Sequence, residues 1–253
     1  MFTYPEQPET IGKILDSGFK LYKTSFKQII IYSFLGALVG NLYSLIPISQ
    51  DPNLIWNDML KYAWTFPIIM IFTLLTYSII IIRMHDIAIG VEQSVSAMFG
   101  RSLKKIVPLF IGSILYSFAI MIGTILLVVP GIYLMLALMF YAQIILLDKV
   151  SVFTALKRSY RLVAGNWWRT ATVTMVPSFI FISVFMLVGF FAGFAEGFIS
   201  PDESSDLIDY VMTAVTVLIT TIISPLMYGF FLILLNDLKL RKQGDDLEAR
   251  LEQ

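Results

Sequence analysis

Residues 106–147 read IVPLFIGSILYSFAIMIGTILLVVPGIYLMLALMFYAQIILL, and these 42 residues include no Asp, Glu, Lys or Arg. A helix needs about 20 apolar residues to cross a hydrocarbon core of roughly 30 Å, so the stretch is long enough for two spans. Val129, Pro130 and Gly131 lie near its middle, where proline and glycine both disfavour a continuous helix. The stretch predicts a transmembrane hairpin with spans at 106–126 and 129–147.

The rest of the chain has the composition of a polytopic membrane protein. Its 253 residues are 57% hydrophobic and 14% charged, with a mean hydropathy of +0.79. Soluble domains are about 45–50% apolar and about 25% charged, so a soluble globule and intrinsic disorder are excluded. We predict an all-α, six-span transmembrane bundle over 1–237, followed by a charged cytoplasmic tail over 238–253. The four remaining spans are predicted at 28–46, 63–82, 171–195 and 210–235.

The basic residues predict the orientation of these spans. Of the 18 Lys and Arg residues, 17 fall on one side of the predicted bundle, and Lys61 alone falls on the other. The positive-inside rule therefore places both termini in the cytoplasm. The tryptophans agree, because indole rings prefer the headgroup level and all four fall at predicted span boundaries. These are Trp56 and Trp64 outside, and Trp167 and Trp168 inside.

A repeated pattern precedes the odd-numbered spans. An offset of 141 residues superposes Leu15, Phe19, Lys20 and Leu21 on Leu156, Tyr160, Arg161 and Leu162, and an offset of 57 superposes Arg101, Ser102 and Lys104 on Arg158, Ser159 and Arg161. The pattern predicts three hairpins, each preceded by a cytoplasmic interfacial amphipathic helix.

Two roles for these interfacial helices stay open. They either only anchor and orient the hairpins, or they form a basic collar that binds anionic lipid or a partner protein. The candidate collar residues are Lys20, Arg101, Lys104, Arg158 and Arg161.

Several functions are disfavoured by what the sequence lacks. It has no cysteine and one histidine, His85, so thiolate and histidine-cluster metal sites are excluded. The net charge of zero gives no basic field for nucleic acid. We predict no catalytic residues, no metal and no cofactor, and hence a protein that is not an enzyme.

One stripe of hydroxyl side chains lies within the sixth predicted span. Thr213, Thr216, Thr220 and Ser224 are spaced i, i+3, i+7 and i+11, which puts them on one helical face. These hydroxyls either bond neighbouring helices together or form the wall of a hydrophilic groove.

Two further features have alternative structural interpretations. The glycine pairs at i and i+4 let helices approach closely, either within the monomer or in a homo-oligomer or a complex with another membrane protein. These glycines are Gly36 and Gly40, then Gly189, Gly193 and Gly197. Asp148 is predicted to form a structural ion pair with Arg158 or Arg161 across a short connection.

Residues 129–133 (VPGIY), 147–149 (LDK), 155–162 (ALKRSYRL) and 165–167 (GNW) carry a family resemblance. They resemble the YciC-like (UPF0259) inner-membrane proteins and the related membrane domain of some glycerophosphoryl diester phosphodiesterases. The resemblance implies a six-span helical domain in the bacterial inner membrane. It implies no hydrolase activity, because the soluble catalytic barrel of those phosphodiesterases has no counterpart in this chain.

These observations predict a non-enzymatic inner-membrane protein that acts in envelope or lipid homeostasis through lipid or partner binding. The alternative is a passive transporter or lipid-moving protein that uses a polar groove between hairpins.

Overall fold

The computed structural model describes residues 2–46, 49, 51, 53–199 and 206–251, without the side chains of 43, 45, 195, 196, 198, 199, 206–209 and 245–251. The described part is helical and contains no strand. The α-helices are α1 (Ile11–Gly40), α2 (Ile55–Tyr62), α3 (Thr65–Ala88), α4 (Val95–Leu103), α5 (Ile106–Leu126), α6 (Val128–Leu138), α7 (Tyr141–Leu147), α8 (Val152–Val163), α9 (Trp167–Ile199) and α10 (Asp206–Leu251), and a 3₁₀ turn covers Leu42–Leu45.

Five stretches of helix in the described part are long and apolar enough to cross a membrane. They are Thr65–Ala88, Ile106–Leu126, Val128–Leu147, Trp167–Phe194 and Tyr210–Gly244. These five overlap five of the six predicted spans. The sixth prediction, 28–46, overlaps the end of α1 and the 3₁₀ turn. Helix α1 is long enough, at 30 residues, but does not belong to the helices that are also apolar enough to cross a membrane.

The first predicted interfacial helix is not a separate element, which corrects the prediction of three such helices. It is continuous with the following predicted span in α1, and no proline interrupts these 30 residues. A buried stripe runs along the whole helix and packs against α3 and α10, so there is no point at which the chain turns. The stripe is Ile14, Gly18, Leu21, Ser25, Ile29, Ser33 and Ala37.

Helix α1 packs closely against α3 and α10. Gly18 lies against the backbone and ring of Phe230, and a Cβ atom on Gly229 would stand 2.9 Å from the carbonyl oxygen of Gly18. Only hydrogen fits at such a crossing, so the two glycines set the distance between α1 and α10. Burial of Ile14, Leu21 and other large apolar side chains stabilises this part of the fold.

The 106–147 stretch forms the predicted hairpin, with a break in its second arm. Leu127 is extended and separates α5 from α6, while Pro130 lies in the first turn of α6, where a proline is tolerated. A second break at 139–140 separates α6 from α7. Ser159 of α8 satisfies the backbone there, since its hydroxyl accepts from Phe140 N (3.2 Å) and donates to Ala137 O (2.9 Å).

Two short amphipathic helices, α4 and α8, precede α5 and α9. Ser94 caps α4 by accepting from Ala97 N, and Ser151 caps α8 by accepting from Thr154 N. Helix α4 packs on α3, and α8 packs on α6 and α7.

The last two long helices differ in their packing. No described side chain of α9 beyond Pro177 is buried, so most of this helix faces outward. Helix α10 continues across the predicted boundary at 237–238, because Leu238 is fully buried and Arg241 bonds Asp237 one turn earlier. The residues of the predicted tail that are described thus belong to α10.

Candidate functional site

Three carboxylates mark one end of the bundle, at or near the ends of α3, α7 and the apolar part of α10. Asp86 and Asp237 are almost fully buried, and Asp148 is about one-fifth exposed (2%, 3% and 20% of the side chains). Each carboxylate is paired with basic side chains. We call this end, which also holds α4 and α8, the basic end.

Asp237 joins three parts of the chain at the basic end. Arg169 Nε and Arg241 Nε each lie 2.9 Å from Asp237 Oδ2, and the backbone N–H of Glu9 donates to Asp237 Oδ1 over 2.8 Å. Both guanidinium groups also donate to the carbonyl oxygen of Glu9. The segment before α1 is therefore held across α9 and α10.

The same N-terminal segment contacts α3. The hydroxyl of Tyr4 lies 3.1 Å from Nδ1 of His85, and Asn236 donates to Pro5 O over 3.0 Å. Burial, together with the negative charge of Asp86, raises the pKa of Tyr4, so its hydroxyl keeps its proton at neutral pH. His85 is thus part of a structural contact at the end of α3.

Asp86 forms a comparable pair with α4. Arg101 Nη1 lies 3.0 Å from Asp86 Oδ2 and also donates to Gln93 Oε1 over 2.7 Å. The pair fixes α4 against the end of α3.

Asp148 lies at the edge of an open cleft between α8 and the distal part of α10. Lys239 Nζ is 2.7 Å from Asp148 Oδ1, and Arg158 Nη1 is 3.5 Å from Asp148 Oδ2. The structure thus brings Asp148 to Arg158, the first of its two predicted partners.

We call this cleft, of about 850 Å³, the basic cleft. Its lining includes four basic side chains, Arg158, Arg161, Lys239 and Lys242, and one acidic side chain, Asp148. The excess of positive charge suits an anion, and the planar guanidinium groups of arginine can each offer two parallel hydrogen bonds to a phosphate or carboxylate.

The predicted collar is divided by the structure. Arg158 and Arg161 line the basic cleft, whereas Arg101 is engaged by Asp86 on a different helix pair. Lys20 and Lys104 are exposed and do not line the cleft. The five residues therefore do not make up one binding surface.

The predicted hydroxyl stripe on α10 is also divided. Thr220 and Ser224 line a second cavity, between α1, α3 and α10. Thr213 Oγ1 lies 3.4 Å from Ser44 Oγ, and Thr216 is half-buried outside that cavity's lining.

The two glycine motifs have different surroundings. A Cβ atom on Gly36 would stand 2.6 Å from Thr76 Oγ1, and one on Gly40 would stand 3.9 Å from Thr73 Oγ1, so this pair packs within the monomer against α3. Around Gly189, Gly193 and Gly197 the described atoms leave open space.

Sequence reasoning missed the residues that organise the basic end. From the sequence alone, Arg169, Lys239 and Lys242 were used only in the count of basic residues that predicts orientation, and no role was assigned to Asp237. The available signal was the placement of one acidic residue near the end of each even-numbered span, namely Asp86, Asp148 and Asp237. Among the described residues, no group of three or more His, Asp or Glu is arranged to hold a metal ion.

Comparison with known families gives one result. The model of a family described as a domain of unknown function, DUF7847, matches residues 68–235, more than half of the chain. The chain belongs to the DUF7847 family. No curated protein and no solved structure gives a significant match. The DUF7847 match includes Asp148, Arg158 and Arg161 of the basic cleft and ends before Lys239 and Lys242.

Proposed function

We propose that this DUF7847 protein is a non-enzymatic, six-span protein of the bacterial inner membrane that binds anionic lipid headgroups in its basic cleft, in support of envelope or lipid homeostasis. In this proposal the basic end faces the cytoplasm. The proposal rests on the excess of basic side chains in the lining of the cleft. The six spans and the repeat are supported by the length of α1, the helix starts and the packing partners.

The proposed sixth span is the second half of α1. At 1.5 Å per residue, this 30-residue helix is about 45 Å long, which exceeds the roughly 30 Å of a hydrocarbon core. Its charge-free part begins after Lys27, and long lysine side chains near a helix end can reach the headgroup region. A sixth span returns both termini to the basic end, in agreement with the distribution of Lys and Arg.

Three equivalent units are supported by the helix starts. Thr10, Ser94 and Ser151 precede α1, α4 and α8, and all three have extended backbone with ψ between 151° and 160°. They are related by the same offsets, 141 and 57, that relate the sequence segments. Equivalent positions inside the helices are also buried: Ile14, Met98 and Ala155, then Gly18, Ser102 and Ser159.

The packing partners follow the same order. Helix α4 packs on α3, α8 packs on α6 and α7, and the first half of α1 packs on α10 at Gly18 and Phe230. In the proposed repeat, each amphipathic segment thus packs on the second span of the preceding hairpin. The first segment has no preceding hairpin in the chain and packs instead on the second span of the third hairpin, α10.

The basic cleft lies at the level where headgroups of the inner leaflet would be found. A basic residue near an anionic membrane surface contributes about 1 kcal/mol. Arg158, Arg161 and Lys239 against the one carboxylate leave an excess of two positive charges, or about 2 kcal/mol, which corresponds to roughly 30-fold in affinity.

The exposed equivalents of the cleft residues supply a matched control. Lys20 and Lys104 occupy the positions equivalent to Arg161, yet neither lines the cleft. Native mass spectrometry of detergent-extracted protein would compare the double variant Arg158→Gln/Arg161→Gln with Lys20→Gln/Lys104→Gln, which loses the same charge.

We expect the parent and the lysine variant to retain anionic phospholipid, and the arginine variant to lose most of it. Equal retention by both variants would reject the cleft as the binding site and leave these cations a topological role only.

A further inference from the structure

A second cavity, of about 220 Å³, lies between α1, α3 and α10 on the side of the bundle away from the basic end. Gly36 and Gly40 of α1, Thr76 of α3, and Thr220 and Ser224 of α10 contribute to its wall. This volume is large enough to hold several water molecules. We call it the hydroxyl cavity.

Three of the hydroxyl groups in the wall of the cavity have already donated their protons. Thr73 Oγ1 donates to Ile69 O (2.8 Å), Ser33 Oγ donates to Thr221 O (2.7 Å), and Thr76 Oγ1 donates to backbone carbonyl oxygens of its own helix. A hydroxyl has one proton and two lone pairs. The oxygens of Ser33, Thr73 and Thr76 can therefore serve a ligand in the cavity only as acceptors.

Among the residues that the structure describes, the lining of the cavity carries no Asp, Glu, Lys, Arg or His. A full charge inside the apolar part of a membrane is costly unless an opposite charge accompanies it. The cavity thus disfavours an ion and suits an uncharged molecule that brings hydrogen-bond donors.

Two contacts close the cavity toward the basic end. The rings of Tyr77 and Tyr228 meet edge to face, with centroids 5.0 Å apart, and the crossing of Gly18 and Gly229 lies further along the same helices. At the opposite end, the lining reaches Asn41, just beyond the end of α1. Ser33 and Asn41 are eight residues apart, so the cavity is about 12 Å deep along the axis of α1.

We infer that the hydroxyl cavity is a binding site for a small uncharged solute rich in hydrogen-bond donors, of the polyol class. This site is separate from the basic cleft, and its occupation does not depend on lipid binding there.

The chain contains no cysteine, so single cysteines can report on the cavity without background. We would place Thr220→Cys and Ser224→Cys, one at a time, in proteoliposomes and measure their reaction with hydroxyethyl methanethiosulfonate. Only the thiolate reacts, and it forms where water reaches the sulfur. Leu218→Cys is the control on α10, because this apolar side chain is 58% exposed on the outer surface of the bundle.

We expect both cavity cysteines to react at least about ten-fold faster than Leu218→Cys, because ionisation of a thiol requires water. Glycerol should slow the cavity reactions several-fold more than it slows Lys157→Cys on the exposed face of α8. Adding Gly40→Leu, which fills the cavity from α1, should remove this protection. Two positions are used so that the test survives if one variant fails to fold.

Reaction rates as slow as that of Leu218→Cys would show a dry cavity and overturn the inference. Fast reactions that glycerol slows no more than it slows Lys157→Cys would show a hydrated cavity without a polyol site, and would overturn it as well.

Discussion

Arg169 Nε lies 2.9 Å from Asp237 Oδ2, and this pair joins α9 to α10 across 68 residues of sequence. Asp237 is 3% exposed and Arg169 is 18% exposed, so water contributes little to solvating the carboxylate. The pair also holds the backbone of Glu9, and through it the segment that precedes α1. Asp237 therefore holds α9, α10 and the N-terminal segment together at the basic end.

Replacing that carboxylate should destabilise the protein. We expect Asp237→Asn to lower the free energy of unfolding by about 2–3 kcal/mol, because two guanidinium groups lose their counter-charge while they remain partly buried. Thermal unfolding in detergent would measure the change. Glu92→Gln, at an exposed acidic residue, is the control and should leave the midpoint unchanged.

Ser159, which bonds the backbone at the break between α6 and α7, can be compared with Ser102, the equivalent residue of α4. Ser159→Ala should cost about 1–3 kcal/mol, because the buried N–H of Phe140 loses its hydrogen-bond acceptor. Within the described part of the chain, Ser102 Oγ is buried without a hydrogen-bond partner, so Ser102→Ala should be neutral or stabilising. Unfolding of the two variants in the same detergent would compare them, and equal losses would contradict the role given to Ser159.

The two glycine motifs should respond in opposite ways to alanine. Gly36→Ala should destabilise the monomer by about 1–3 kcal/mol, because the new Cβ atom would overlap Thr76 Oγ1. Gly189→Ala meets no described atom and should gain up to about 1 kcal/mol of helix propensity. Melting temperatures of the purified variants would test this difference, and a loss at Gly189 would instead indicate a close contact there.

The proposed topology places both termini and the basic end in the cytoplasm. Reporter fusions at positions 55 and 205 should score as periplasmic, and a fusion at the C-terminus should score as cytoplasmic, because of the distribution of basic residues. A cytoplasmic score at position 205 would contradict the six-span arrangement.

Helix α8 should lie along the inner membrane surface with two distinct faces. Phe153 is 74% exposed and apolar, whereas Lys157 is exposed and charged. Spin labels at these two positions should differ, with the label at 153 accessible to oxygen in lipid and the label at 157 accessible to a water-soluble relaxation agent. Similar accessibility at both sites would argue against an interfacial helix.

Sequence patterns predicted the helical class and most of the long helices, because hydrophobicity and the lack of charge act locally along the chain. The predicted span 106–126 coincides with α5. The turn after it lies at Leu127, whereas Val129, Pro130 and Gly131, which were predicted to break the helix, lie in the first turn of α6. The pattern could not show that α1 is a single helix. The amphipathic and apolar halves of α1 have different compositions, and it is the structure that shows one buried stripe running through both, packed against α3 and α10.

The candidate sites were predicted in part. Asp148 and Arg158 are only ten residues apart, and the sequence was sufficient to propose their pairing. Lys239 also pairs with Asp148, from which it is 91 residues away in the sequence, and nothing in the local sequence indicates that the two residues meet. Likewise, the spacing of Thr220 and Ser224 predicted one wall of a groove, but the opposite walls come from α1 and α3.

The sequence by itself determined the helical class and the apolar helices that are long enough to cross a membrane, since the cost of placing charge in hydrocarbon is fixed by residue type and run length. Only the tertiary structure decided which charges meet. Arg101 is engaged by Asp86, whereas Arg158 and Arg161 line a cleft with Lys239 and Lys242, although sequence placed both sets at equivalent positions of one repeat. Helix packing alone sets these partners, because an ion pair or a cleft needs side chains within a few ångströms of each other, however far apart they lie in the chain.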